Sequence, residues 1–289
     1  MTVQTHPQAT RDLRQAARQG LLPARGSGWL AGFGNMLGKE LGEWFRTRRW
    51  LWQLLIWPVI IDGFPAFVYF VLPVLASIMP GLPTQETVFS GLPPELWGVY
   101  LYYSIVVMTG SIGAIILAQD EVIQEKQSGT AAWILSKPAA RQAFILTKLL
   151  SNTIGMLVFI VGLPGLVVLG EVFLATHQLV PLVPFLVGAG VVMLALFFYV
   201  SLVILLGVLF ESRGPVLGIT FGIMFGGRLL ANFFPQLAYV LPLGMDGTAL
   251  SIVMGIPLPA ALVWEVISTA VLSIVFILVA LWSFQHKEF

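Results

Sequence analysis

Long apolar segments dominate the chain after residue 50, and short polar stretches separate them. Six segments reach the length of about 20 apolar residues that a helix needs to cross ~30 Å of hydrocarbon. The pattern therefore predicts an all-α membrane protein with six transmembrane helices. Their approximate bounds are Leu51 to Ser77, Trp97 to Ala118, Leu149 to Leu169, Leu182 to Phe210, Pro215 to Phe234 and Ala260 to Phe284.

An amphipathic pattern precedes the first span, over residues 29–49. One helical stripe is apolar, and Lys39, Glu43 and Arg46 fall on the opposite side. This predicts a helix that lies in the membrane interface or, alternatively, a cytosolic helix packed on a partner. Residues 1–28 are polar and predict a disordered cytoplasmic tail, and residues 50–289 form the six-helix domain. The apolar stripe consists of Leu30, Phe33, Leu37, Leu41, Trp44 and Phe45.

The distribution of Lys and Arg predicts the orientation of the helices. The stretches 78–96, 170–180 and 243–259 contain neither residue, whereas the N-terminal arm and the loop 119–148 contain most of them. Six crossings put these basic stretches on one side, which the positive-inside rule assigns to the cytoplasm. We therefore expect a multi-pass protein of the cell (inner or plasma) membrane with both termini cytoplasmic.

Composition excludes several kinds of function. Of the 289 residues, 57% are hydrophobic and 10% are charged, against roughly 25% charged in soluble domains. Lys and Arg fall almost entirely in short hydrophilic stretches, a distribution typical of membrane topology rather than of a basic face, so we expect no nucleic-acid partner. Cysteine is absent and the three histidines are scattered, so we expect no metal site in this chain. Neither G-x-S-x-G nor H-E-x-x-H occurs, and we expect a non-catalytic membrane protein.

The loop between the second and third predicted spans has strong helix-boundary signals. Gly129 can end the helix extending from the second span, Thr130 can N-cap a short new helix, and Pro138 suits a first helical turn. The short helix would present Trp133 and Leu135 to a partner in the cytosol. The alternative is a solvated turn.

This loop resembles the coupling loop of the type-2 ABC transporter permeases. The matching residues are Glu125, Gly129-Thr130, Leu135-Ser136, Pro138, Arg141 and Lys148. Upstream, Lys39-Glu40-Leu41 and the arginines at 46, 48 and 49 resemble the elbow helix of the same family. Helix count, orientation and length also fit, so the resemblance extends from about residue 30 to the end. The polar tail 1–28 departs from it.

The resemblance implies a transmembrane permease subunit of an ATP-binding-cassette exporter. A second permease subunit, either a copy of this chain or a close paralogue, would complete the pathway in the lipid bilayer. Two cytosolic ABC ATPase subunits would dock at residues 119–141. The resemblance implies docking roles for Glu125, Gly129, Thr130, Trp133, Leu135, Pro138 and Arg141.

ATP and Mg would bind in the partner, because this chain lacks a G-x-x-x-x-G-K-S/T loop. We expect no cofactor in the chain itself. Two other functions stay open, namely a stand-alone secondary transporter or channel and a membrane anchor or assembly factor without transport. The transported substrate does not follow from the sequence.

Three ionisable residues lie within the predicted spans: Asp62, Arg228 and Glu265. A charge at the bilayer centre costs roughly 2.5–3.5 kcal/mol, so such side chains usually face protein or water. Arg228 and Glu265 have similar estimated depths and opposite charges, which predicts an ion pair. The three residues are either structural or line a substrate path.

The fifth predicted span carries a G-x-x-x-G-x-x-x-G face made of Gly218, Gly222 and Gly226. Small residues four apart let two helices approach closely in lipid. Two interpretations stay open: the face packs within one subunit, or it forms a contact across a dimer.

Overall fold

The computed structural model describes residues 28–46, 48–79, 81–119, 121–128 and 140–286, and its regular elements are all helical. Six of its helices are long and apolar enough to span a membrane, which confirms the predicted number and a multi-pass membrane protein. The fourth and sixth spans begin at the predicted residues. The six are α2 Trp50–Ile78, α3 Pro94–Gln127, α4 Arg141–Thr176, α5 Leu182–Leu209, α6 Arg213–Ala231 and α8 Ala260–Gln285.

Helices α3 and α4 extend well beyond the apolar segments that predicted them. Of the expected loop 119–148, Glu121–Gln127 and the stretch from Arg141 are helical. The extensions carry charged residues whose partners lie on other helices. Glu125 pairs with Lys148, and Lys126 donates to carbonyl oxygens at the end of α5, so the helices continue past their apolar segments. At its other end, α4 reaches Thr176 and takes up most of the stretch 170–180, which was expected to be a loop.

Among the described residues, two further helices of nine residues or more lie outside the six spans. The first is α1, Phe33–Phe45, and the second is α7, Met245–Val253. Helix α7 occupies a stretch expected to be a loop, and its Met245 and Ala249 side chains are fully buried. It packs on α5, where a Cβ on Gly188 would lie 3.0 Å from the Ala249 carbonyl oxygen. Shorter turns occur at Gln85–Val88 and at the 3-10 helix Pro235–Tyr239.

Helix α5 is the centre of the bundle. It contacts α3, α4, α7 and α8, and its residues from Phe198 to Val208 are all buried. By contrast α2 and α8 expose large apolar side chains, such as Val59 and Leu278. An apolar outer surface of this kind is what lipid contact requires.

Four spans contain a π-helical turn, while α5 and α8 are continuous α-helices. The wide turns are Phe67–Val71 in α2, Val106–Gly110 in α3, Leu157–Gly162 in α4 and Gly222–Gly226 in α6. Such turns interrupt the regular hydrogen-bond ladder and are common at functional sites.

Candidate functional site

Several helix ends meet at one face of the bundle, which we call the loop face. It comprises α1, the C-terminal ends of α3, α5 and α8, and the N-terminal end of α4. Side-chain contacts join these ends to one another, as described below. If each of the six spans crosses the membrane once, these same helix ends lie on one side of it. The observed grouping therefore agrees with six spans.

A buried lysine joins three helices at the loop face. Lys148 of α4 is 2% exposed, and its Nζ lies 3.2 Å from Glu40 Oε1 of α1. The same Nζ lies 3.3 Å from Glu125 Oε1 of α3. Lys39 Nζ lies 2.6 Å from that Glu125 oxygen and 3.7 Å from Glu40 Oε1. We call Lys39, Glu40, Glu125 and Lys148 the four-charge cluster.

Two positive and two negative charges balance within this cluster. Burial tends to lower the pKa of the Lys39 ammonium, but the hydrogen bond and charge of Glu125, together with Glu40 and Glu43, outweigh it and raise this pKa. Lys39 is therefore charged throughout the physiological pH range. Removing one partner of a buried pair strands the other charge at low dielectric, so the cluster holds α1, α3 and α4 together.

A second polar contact joins α3 and α4 one turn deeper in the bundle. Asn152 Nδ2 donates to Glu121 Oε2 at 2.6 Å and to the Lys148 carbonyl oxygen at 2.9 Å. The sequence analysis missed Glu121 and Asn152. A signal for both residues was present in the sequence. Glu121 and Glu125 are four residues apart on α3, and Lys148 and Asn152 are four apart on α4, so each pair lies on one face of its helix.

Helix α1 packs on α4 through an aromatic residue as well as through charge. Trp44 is buried and stacks on Phe159 with ring centroids 6.0 Å apart. A Cβ on Gly155 would lie 2.5 Å from the Trp44 ring, so only glycine admits this approach. The predicted apolar stripe is split, since Leu30 and Phe45 stay exposed. The reason is that the pairing of Glu40 with Lys148 turns a charged position toward α4.

Cations flanking residues 129–139 cap two other spans. Lys126 Nζ donates to the carbonyl oxygens of Gly207, Val208 and Phe210 at 3.1, 3.3 and 2.8 Å, at the C-terminal end of α5. Arg141 Nη1 donates to the Gln285 carbonyl oxygen at 2.8 Å, at the end of α8. Positive charge is favourable at the negative end of a helix dipole.

Of the predicted docking residues, the structure brings Glu125 and Arg141 to the loop face. Glu125 belongs to the four-charge cluster, and Arg141 caps α8. The other predicted docking residues lie outside the described part of the chain: Gly129, Thr130, Trp133, Leu135 and Pro138. The predicted disordered tail also lies outside it, over residues 1–27.

A family model described as a protein of unknown function, DUF2705, matches residues 67–289. The chain belongs to the DUF2705 family. No curated protein matches the chain. The DUF2705 match includes α3 to α8, and with them Glu125 and Lys148, whereas α1 with Lys39 and Glu40 precedes it.

The intramembrane charges of this DUF2705 chain do not pair as predicted. Glu265 is buried, and its Oε1 accepts a hydrogen bond from the Gly244 backbone N–H at 2.6 Å. In the described structure it forms no ion pair with Arg228, so that prediction is wrong. The physical reason is the turn before α7, whose backbone donor needs a buried acceptor. Asp62 is 2% exposed, and neither carboxylate oxygen has a described hydrogen-bond partner.

The glycine face of α6 has no neighbour within the described chain. A Cβ built on Gly218, Gly222 or Gly226 meets nothing within 4 Å. The first interpretation, packing within one subunit, therefore has no contact to support it among the described residues. Two of these glycines, Gly222 and Gly226, are also the first and last residues of the π-helical turn in α6.

Proposed function

We propose that this chain is the transmembrane permease subunit of an ATP-driven exporter. The four-charge cluster carries the proposal. It joins Glu125 and Lys148, on either side of residues 129–139, to Lys39 and Glu40 of α1. These residues carry the resemblance to the type-2 ABC permeases, and they are far apart in sequence.

The contacts at the loop face suit a coupling device. A force applied to residues 129–139 would act on α3 and α4, whose ends hold α1 through the cluster. Lys126 and Arg141 would pass the same force to α5 and α8 through their capping hydrogen bonds. An ATPase docked at this loop would thus move the span ends directly.

In this proposal the loop face is cytoplasmic, both termini are cytoplasmic, and the membrane is the inner or plasma membrane. Helix α1 is the elbow helix, and the exposed side chains of Leu30, just before it, and Phe45, at its end, would enter the membrane interface. The glycine face of α6 contacts the second permease subunit. Two ATPase subunits, which bind ATP and Mg, complete the transporter.

One observation favours a second candidate, a proton- or cation-driven secondary transporter. Asp62 is a buried carboxylate with no described hydrogen-bond partner on either oxygen, in a span with a π-helical turn. Intramembrane carboxylates of this kind serve proton relays in secondary transporters. That transporter would need no ATPase.

Purification from native membranes separates the candidates. The tagged chain should retain a subunit with a G-x-x-x-x-G-K-S/T loop, and the reconstituted complex should show ATP-dependent flux. Gly129→Pro should reduce recovery of that subunit without reducing insertion, while Thr87→Ala, in the short stretch between α2 and α3, serves as the control. Flux driven by an ion gradient alone would favour the secondary transporter. Tight partner binding without flux would favour a membrane anchor.

Orientation is tested separately with topology reporters. Fusions after Ser128, Arg213 and Phe289 should report the cytoplasm, and fusions after Pro83, Thr176 and Gly247 the outside. An outside signal after Ser128 would contradict docking of an ATPase at this loop.

A further inference from the structure

A cavity of about 400 Å³ lies among α3, α5, α6 and α7, in the half of the bundle opposite the loop face. It extends from the start of α7 to about the middle of α3. Its volume is within the range of small-molecule sites, roughly 300–1,000 Å³. The polar groups that line it are Tyr100, Ser104, Ser111, Tyr199, Arg228 and Asp246.

One buried hydroxyl in this cavity lacks a partner. Ser111 is 1% exposed, and its Oγ has no hydrogen-bond partner within the described chain. Tyr199 also lines the cavity, and its hydroxyl forms no hydrogen bond within the described residues. The neighbouring tyrosines differ, because Tyr102 and Tyr103 donate to backbone carbonyls at 2.7 and 2.8 Å. An unsatisfied buried hydroxyl costs about 1–3 kcal/mol, which a polar ligand group would recover.

The same cavity contains one cation and one anion that are not paired. Arg228 and Asp246 both line it, yet within the described chain neither forms an ion pair or a side-chain hydrogen bond. Two opposite charges held apart can each attract a group of opposite sign. The arrangement is complementary to a molecule that carries both an anionic and a cationic group.

Two of the four π-helical turns form the apolar wall of the cavity. Val107 and Met108 come from the wide turn of α3, and Met224 and Phe225 come from that of α6. The two π-helical turns therefore line the same cavity, although they are far apart in the sequence.

We propose that this cavity binds a small zwitterion with an ammonium and an acidic group on one molecule. The acidic group contacts Arg228, the ammonium contacts Asp246, and a hydrogen-bonding group reaches Ser111 and Tyr199. If the chain is the permease proposed above, this zwitterion is the class of substrate that it transports. Only that transport step rests on the proposed function. Binding itself requires no ATPase.

The absence of cysteine makes a direct test possible. Ser111→Cys adds a single thiol to the cavity, and Ser77→Cys adds one on the exposed part of α2 as a control. The full-length chain is placed in phosphatidylglycerol nanodiscs and labelled with methyl methanethiosulfonate. Dialanine at ten times its Kd should slow labelling of Cys at 111 by ~10-fold and leave the control thiol unchanged. N-acetyl-dialanine and dialanine amide, which lack one charge each, should give no protection.

Matched variants show which charges act. In the Ser111→Cys background, Arg228→Leu and Asp246→Asn should each abolish protection, whereas Arg213→Leu, at the opposite end of α6, should leave it intact. Phosphatidylethanolamine nanodiscs distinguish the source of the zwitterion, since slow labelling there without dialanine identifies a lipid headgroup. Ser104→Cys repeats the test if the first variant does not fold.

The proposal is overturned if dialanine and its two blocked forms protect equally, or if protection survives both charge variants. Equal labelling rates in both lipids, with no effect of dialanine, would also overturn it. None of these results bears on the ATPase, so the permease proposal is tested separately.

Discussion

Lys148 of α4 lies 3.3 Å from Glu125 of α3, at the two helix ends that enclose residues 129–139. This contact fixes the distance between the end of α3 and the beginning of α4. Because Glu40 of α1 lies 3.2 Å from the same Lys148 Nζ, α1 is held to the same point. The ends of three helices are thus coupled through one buried ammonium.

The two lysines of the cluster should contribute unequally to stability. Both contact Glu125 Oε1, but the Lys148 side chain is 2% exposed and that of Lys39 is 45% exposed. We expect Lys148→Met to cost ~3–5 kcal/mol, because Glu40 and Glu125 lose their buried partner and keep only the half-exposed Lys39. Lys39→Met should cost less than about 1 kcal/mol, because solvent screens the exposed pair. The free energy of unfolding in mixed micelles measures both, and equal losses would contradict a buried cluster.

The contact between α1 and α4 should depend on a glycine. In Gly155→Ala the added methyl meets the Trp44 ring, and displacing that ring should cost ~1–3 kcal/mol. Hydrogen exchange over residues 33–45 should accelerate. Gly190→Ala is the matched control, since a Cβ there meets nothing within 4 Å. Unchanged exchange in α1 for Gly155→Ala would show that α1 does not depend on this packing.

The cap on α5 should need a cation at position 126. Lys126→Met leaves the final carbonyl oxygens of α5 without their donor, at a cost of about 1.5–3 kcal/mol for charged hydrogen bonds. Hydrogen exchange at residues 203–210 should rise. Lys126→Arg retains a donor and the charge, so it should preserve most of the protection. Loss in both variants would point to side-chain shape rather than capping.

Arg228 and Glu265 should behave independently. Glu265→Leu removes the hydrogen-bond acceptor of the Gly244 N–H. Arg228→Leu removes an exposed charge that lines the cavity. Because no ion pair joins them, the losses in folded protein should add in the double mutant to within ~0.3–0.5 kcal/mol. Glu265→Gln keeps an acceptor and should be milder than Glu265→Leu. Recovery in the double Leu variant would show a pair that the structure lacks.

The glycine face of α6 should matter for association rather than for folding of one chain. Gly222→Leu should leave unfolding of the monomer nearly unchanged and weaken a dimer measured by single-molecule photobleaching in liposomes. Gly188→Leu serves as the contrast, since its Cβ would lie 2.6 Å from the Tyr103 hydroxyl and should destabilise the monomer itself. A monomer destabilised by Gly222→Leu would count against the dimer interface.

Sequence hydropathy was sufficient for the number of spans because each of them is a long, predominantly apolar segment, and hydrocarbon enforces length and helicity locally. It failed where charged residues continue a helix, as at Lys126 and Arg141, because their partners lie on distant elements. It also failed for α7, whose burial depends on the surface offered by α5.

The sequence by itself determined an all-helical chain with six spans, and it identified Glu125, Arg141 and Lys148 as residues of one loop region. Only the tertiary structure decided that Lys148 joins Glu125 to Glu40, and that Glu265 binds the Gly244 backbone rather than Arg228. The physical reason is that apolar burial in lipid depends on each residue's own chemistry. A buried charge depends on which distant groups the fold brings within hydrogen-bond reach.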